Sequence, residues 1–169
     1  SLHDALPILT NVDGKTLTAG DTSDVFYAGY VAIDVNGKLT TNYDLMAQGL
    51  ILTGDHMLTT STPNVIAQLV RDPSDGAKGL IKVTATSDKI AVDMPIVIMA
   101  ITASKTSQLS TTLKKQPTVV SFILAYPSES ISSGESVLIP FTALDQNGKI
   151  ITKFSELNGM VTQIGRAHV

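Results

Sequence analysis

The side chains best equipped for chemistry in this chain gather first around two glycine turns, Asp34-x-Asn36-Gly37 and Asp145-x-Asn147-Gly148. Side-chain oxygens beside a glycine are what a calcium loop uses, but an EF-hand loop needs oxygen ligands at more positions and a bidentate Glu at its end. Here each segment runs directly into Lys38-Leu39 or Lys149-Ile150, which reads as the start of a strand. An Asn-Gly pair suits the positive φ values of a two-residue type I′ hairpin, and the preceding Asp can cap the turn backbone. The hairpin reading therefore ranks above calcium. A looser group, Asp72, Asp75, Asp88 and Asp93, offers further carboxylates for calcium, and these read first as solvated loop acids.

The other catalytic constellations lack parts. The chain has no cysteine, which excludes disulfides, thiol catalysis and Cys-ligated zinc. Of its 3 histidines, His3 and His168 lie in terminal segments set aside below, leaving His56 alone beside Gly54-Asp55. One histidine assembles neither a His-based metal site nor a Ser/His/Asp triad. A glycosidase needs a pair of acids; all three glutamates, Glu129, Glu135 and Glu156, fall in the last third of the chain. There is no phosphate-cradling GxxxxGK[ST]. Tyr126, before Pro127, is a candidate for stacking on a sugar or for packing at a domain entry. The expectation is a protein that is not an enzyme, with no catalytic, cofactor-binding or metal residues and no cofactor beyond the calcium option.

The terminal segments resemble translated DNA adapters rather than protein. Ser1-Leu2-His3-Asp4-Ala5-Leu6-Pro7-Ile8 matches the in-frame translation of one short-read sequencing adapter, and Ile164-Gly165-Arg166-Ala167-His168-Val169 that of its opposite partner. Segments of this kind are excluded from fold reasoning. The expected organisation is therefore an adapter-derived tail at 1–8, a complete β domain at 9–116, the N-terminal part of a second at 117–163, and a second tail at 164–169.

Composition narrows the class. Net charge is −3, and removing both tails deletes Asp4 and Arg166 together, leaving it unchanged. That balance argues against nucleic acid, which needs a basic face. The longest apolar run, Pro95-Ile-Val-Ile-Met-Ala-Ile101, is too short to span a bilayer and reads as a buried strand. The polar remainder is Ser, Thr, Asn and Gly, which suits pleated strands more than helix surfaces. No long segment repeats apolar residues at helical spacing.

Strand candidates recur at short intervals, each closed by turn residues: Leu9 to Val12, Val25 to Asp34, Lys38 to Tyr43, Leu50 to Thr53, Val65 to Arg71, Gly79 to Thr86 and Ile96 to Thr102. Ser104 to Thr118 reads as a last strand leading into a linker. Tyr43 to Gly49 and Phe154 to Gly159 have room for one helical turn each and no more. The class expected is all-β, an antiparallel sandwich.

The chain then starts again. Phe26–Tyr43 laid over Val137–Phe154, an ungapped offset of 111, gives six identities in eighteen pairs: Ala32/Ala143, Asp34/Asp145, Asn36/Asn147, Gly37/Gly148, Lys38/Lys149 and Thr41/Thr152. About one would coincide by chance at ordinary amino-acid frequencies. A self-similarity of this period means tandem domains rather than a solenoid. Before each turn, Phe26, Ala28, Tyr30 and Ala32, and likewise Val137, Ile139, Phe141 and Ala143, share one face by period two, as a core face does. Pro140 marks an edge or a bulge in that strand.

The segment Phe122-Ile-Leu-Ala-Tyr-Pro, with Ile131-Ser-Ser-Gly134-Glu135-Ser-Val-Leu-Ile-Pro-Phe141-Thr-Ala-Leu-Asp145-Gln-Asn-Gly148-Lys-Ile-Ile-Thr152, resembles the immunoglobulin-like repeats of bacterial surface-layer proteins. The resemblance implies immunoglobulin-like sandwich domains in an extracellular array on the cell surface, with a structural or spacer role and no catalytic residues. It implies as partners the neighbouring domains of the same protein, lattice neighbours or cell-wall polymers, with no nucleic acid and no membrane span. The alternative expectation is an adhesin-type or carbohydrate-binding module of a secreted protein.

Overall fold

Short alternating runs punctuated by Gly, Asn, Asp and Pro make strands rather than helices. The computed structural model, which describes residues 2–10, 15–152 and 157, is accordingly built of antiparallel sheets with one short helix. The all-β antiparallel class expected from sequence is what is found. The chain divides into two compact units, Ser1–Gln116 and Pro117–Val169.

The first unit holds β1 (Leu2–Thr10), β2 (Phe26–Asp34), β3 (Leu39–Thr40), α1 (Tyr43–Gly49), β4 (Thr59–Thr60), β5 (Val65–Asp72), β6 (Asp75–Ala85), β7 (Met94–Ile101) and β8 (Thr106–Leu113). One sheet runs β1-β2-β6-β5, with β3 also on β2, and the other runs β4-β7-β8. Period-two alternation decides which face each strand buries. Phe26, Ala28 and Ala32 of β2, Val65, Ala67 and Leu69 of β5, and Ile81, Val83 and Ala85 of β6 join Ile96, Ile98 and Ala100 of β7 in one hydrophobic cluster. Two sheets thus enclose a single core, the arrangement of a β-sandwich. Each fully buried Leu, Ile or Val there contributes about 1.5–3 kcal/mol.

Helix α1 is longer than the single turn expected over Tyr43–Gly49. Asn42 is its N-cap, with Oδ1 accepting from the Leu45 N–H at 3.0 Å, and Asp44 lies in the first turn, where negative charge is favoured. Tyr43 and Met46 point into the core. Under Met46 lies Gly79 of β6: a Cβ there would sit 2.9 Å from Met46 Sδ and 3.2 Å from Leu69 Cδ1. The Gly79 N–H donates to the Thr41 carbonyl at 2.8 Å and its carbonyl accepts from the Tyr30 hydroxyl at 2.6 Å, tying the helix entry and β2 to β6.

The turn between β2 and β3 differs from the type I′ hairpin expected of Asn-Gly. Gly37 has φ +78°, but Asn36 is not among the positive-φ residues, of which His56 is the one non-glycine described. The Gly37 N–H donates to the Asp34 carbonyl at 3.0 Å, and the Asp34 N–H donates to the Lys38 carbonyl at 2.9 Å. This is a three-residue loop, a type I turn closed by a left-handed glycine in a bulge. Asp34 selects it: Oδ1 accepts from the N–H groups of Asn36 at 2.8 Å and Lys38 at 3.0 Å, which a two-residue turn would not present together. A Cβ on Gly37 would meet nothing within 4 Å, so Gly37→Ala carries a dihedral cost alone. Urea unfolding of that variant is expected to show a loss of about 1–2 kcal/mol.

Two further boundaries moved. The strands expected over Val65 to Arg71 and Gly79 to Thr86 extend toward each other to a tight hairpin, with Asp72 paired to Asp75 across Pro73-Ser74. The strand expected from Leu9 begins at Leu2, so that Leu2–Ile8, set aside above as adapter-like, runs along β2 from Asp34 to Gly29. Pairing at a sheet edge asks of a segment only that its backbone be extended. Residues 11 and 12 of that expected strand, Phe154–Gly159 apart from Leu157, and 164–169 lie outside the described residues.

In the second unit, β9 (Val119–Leu124) pairs antiparallel with β10 (Phe141–Asp145). Its turn repeats the first in detail. Asp145 Oδ1 accepts from Asn147 N–H at 2.8 Å and Lys149 N–H at 2.9 Å, and Gly148 has φ +76°. The Leu144↔Ile150 bridge stands where Ile33↔Leu39 stands in the first unit. Yet β10 has 5 residues where β2 has 9. The difference has a cause in pairing: Phe26–Ala28 of β2 are laddered to Val83–Ile81 of β6, and the matching Val137–Ile139 lie outside any strand.

Candidate functional site

Of the carboxylates considered for calcium, Asp88 is exposed, and the other five are bonded to the protein's own backbone or side chains. Asp34 and Asp145 each hold a hairpin through two backbone N–H groups. Asp72 Oδ1 accepts from the backbone N–H and hydroxyl of Ser74 at 2.8 and 2.6 Å, and Asp75 from the Ala77 N–H at 3.2 Å. Asp93 bonds the Lys115 N–H at 3.0 Å and the Lys114 ammonium at 3.1 Å. Among the described residues, no three His, Asp or Glu side chains converge as a metal ion would require.

Three of these acids are depressed by their bonds. The Lys38 N–H, with help from Asn36, holds Asp34 below the usual carboxylate range; the Ser74 hydroxyl and N–H do so for Asp72, and the Lys115 N–H and Lys114 ammonium for Asp93. A carboxyl depressed in the folded state stabilises it above the unfolded pKa, about 3.9 for Asp. That stabilisation is lost as pH falls through the lower folded value. The first unit is therefore expected to unfold at lower urea concentration at pH 3 than at pH 6. Asp34→Asn should flatten that dependence; a slope unchanged by Asp34→Asn, Asp72→Asn and Asp93→Asn together would refute the assignment.

His56 is exposed and takes an unusual backbone conformation, φ +55°, two residues after Gly54 at φ +53°. The pair bends a short hairpin in which Thr53 and Met57 exchange backbone hydrogen bonds at 2.9 and 2.8 Å, and the His56 carbonyl accepts from Leu69 N–H. Its ring stands edge-on to Tyr43, centroids 6.0 Å apart. The guanidinium of Arg71 lies 4.1 Å from the Tyr43 ring centroid, reaches Asp44 Oδ1 at 3.1 Å and donates to the Gly76 carbonyl at 2.8 Å. These bonds clasp α1 to the β5–β6 hairpin. They bring no nucleophile, base and orienting acid into one line. Sequence reasoning missed the clasp because its members lie 27 residues apart, Asp44 to Arg71; the Asn42 cap was the signal available.

The second unit exposes several large apolar side chains. Phe122 and Phe141 stack with centroids 5.1 Å apart, yet Phe141 remains 45% exposed, and Ile123, Leu124, Ile131, Leu138 and Ile139 of the same unit are exposed. In the first unit Ala28, which matches Ile139, is buried, and Tyr30, which matches Phe141, is half-buried. Of the expected core face Val137, Ile139, Phe141 and Ala143, only Ala143 is fully buried. Tyr126 is 97% exposed, and Glu129 and Glu135 are exposed; Glu156 lies outside the described residues.

No helix among the described residues is long and apolar enough to cross a membrane. No protein-family model matches the chain, and neither a curated protein nor a solved structure matches it.

Proposed function

We propose that this chain is a structural or spacer piece of a bacterial cell-surface or surface-layer protein, built from immunoglobulin-like repeats and without catalysis. The observation that carries the reading is the twin hairpin. Two stretches 111 residues apart close the same three-residue turn with the same four hydrogen bonds, donor by donor. Repetition of a whole sheet-forming unit along one chain is how arrays gain length with a constant cross-section. The side chains with chemical reach serve turns and clasps, as a spacer requires.

Immunogold labelling of the source cells with an antibody raised against residues 9–116 tests this. Label on the outer envelope is expected; label confined to the cytoplasm would overturn it. A second reading, an adhesin-type or carbohydrate-binding module, is favoured by one observation, the fully presented ring of Tyr126. Aromatic faces of this kind stack on sugars. A polysaccharide pull-down with the chain and its Tyr126→Ala variant separates the readings: binding lost at least tenfold in the variant supports the module, and no binding by either supports the spacer.

A further inference from the structure

The two units share more than a turn. In the first, β1 lies beside β2 with Leu2↔Asp34, Asp4↔Ile33, Ala5↔Ala32, Leu6↔Val31 and Pro7↔Tyr30, skipping His3 in a bulge. In the second, β9 lies beside β10 with Val119↔Asp145, Ser121↔Leu144, Phe122↔Ala143, Ile123↔Thr142 and Leu124↔Phe141, skipping Val120. Shifting β2 onto β10 by the repeat offset carries these five β1 pairs onto the five β9 pairs, bulge included, while β1 continues along β2 for three more, Ile8↔Gly29, Leu9↔Ala28 and Thr10↔Tyr27. β1 and β9 therefore occupy one and the same lane, and the lane is defined by the receiving strand, since Leu2–Pro7 and Val119–Leu124 have no identical residue at matched positions.

We infer that the lane along the outer edge of β2 is an exchangeable strand slot, and that its occupant in trans is the Val119–Leu124 segment of a second copy of this chain. Three observations favour that occupant. The receiving edges of β2 and β10 match, so a segment in register with one is in register with the other. Val119, Val120 and Ile123 are β-branched and every residue of β9 offers an N–H, whereas β1 carries Asp4 and lacks a donor at Pro7. And β9 in its own unit rests on a two-stranded sheet with Val120, Ile123 and Leu124 exposed, a marginal arrangement, whereas β2 is the second strand of a sheet of five. Exchange keeps the backbone ladder and moves β9 onto the larger sheet. This contact is head-to-tail, joining the second unit of one copy to the first unit of another. The inference stands on the strand register and not on where the protein resides.

The chain has no cysteine, so disulfide trapping reads the register directly. Val31, half-exposed on β2, should face Ile123 of the incoming strand. Paired residues across an antiparallel ladder lie within disulfide reach. Full-length Val31→Cys is mixed, in a glutathione buffer, with full-length Ile123→Cys or with Phe122→Cys, whose thiol is one position out of register. A synthetic peptide of residues 117–125 bearing Ile123→Cys gives a second reading of the lane. The expected result is a heterodimer with Ile123→Cys about tenfold above that with Phe122→Cys, rising with concentration, and a peptide adduct at Val31. Equal yields from the two partners would overturn the inference. So would a peptide adduct without a full-length heterodimer, which would show a slot that a second copy does not fill.

Discussion

Truncating Ile81 to Ala is expected to cost the first unit about 2–5 kcal/mol, as is truncating Ile98. Both side chains are fully buried, Ile81 on β6 of one sheet and Ile98 on β7 of the other, and both belong to one apolar cluster. Removing three carbons from either leaves a cavity that the surrounding β-branched residues cannot collapse into, because their rotamers are already fixed by the pleat. A unit of this size has about 5–15 kcal/mol in hand, so each change consumes a large share of it. The informative feature is that the two substitutions act on different sheets. If the sheets share a core, both lower the midpoint of one cooperative urea transition. A control at Leu39, which is 77% exposed, should move it by no more than about 0.5 kcal/mol. Should Ile98→Ala split the transition in two while Ile81→Ala merely shifts it, the single-core account fails.

Gly79→Val has the next largest effect, about 1–3 kcal/mol from overpacking. The first added carbon would already stand 2.9 Å from Met46 Sδ and 3.4 Å from the Tyr43 backbone. A methionine tail yields more easily than backbone, but Met46 is completely buried, so its tail must shift against the packed core rather than into solvent. The conflict is therefore local and can be relieved at its source. In a Met46→Ala background the same Gly79→Val change should cost less, with a coupling of about 0.5–3 kcal/mol between the sites. Strictly additive losses in a double-mutant cycle would show that helix α1 does not press on Gly79.

Much of this was legible in the residues alone. The period-two face Phe26-Ala28-Tyr30-Ala32 is visible without coordinates because burial on one side of a pleat leaves an alternating trace. The hairpin at Asp34–Lys38 was legible as a turn but not as to type, since Asn-Gly serves several turns and the choice falls to the two N–H groups that Asp34 collects. Helix α1 was underread because its stability comes from Tyr43 and Met46 settling into a core assembled from distant strands, and only the Asn42 cap is local. The Tyr43–Arg71–Asp44 clasp and the lane shared by β1 and β9 were not legible at all. Both are set by strand pairing between segments whose sequences say nothing about each other.

The pairing of β2 also bears on how such a protein is made. On the side away from β1, Ala28 of β2 is laddered to Ile81 of β6, so that side of its front half has no partner until the ribosome has delivered residues more than fifty positions further on. At 5–20 residues per second that interval lasts about 3–10 s. During it the nascent unit holds β1, β2 and β3 without the later strands that complete its core, long enough to meet chaperones or the neighbouring polysome. The first unit is thus obliged to pass, once per synthesis, through a partial sheet whose apolar face is still open.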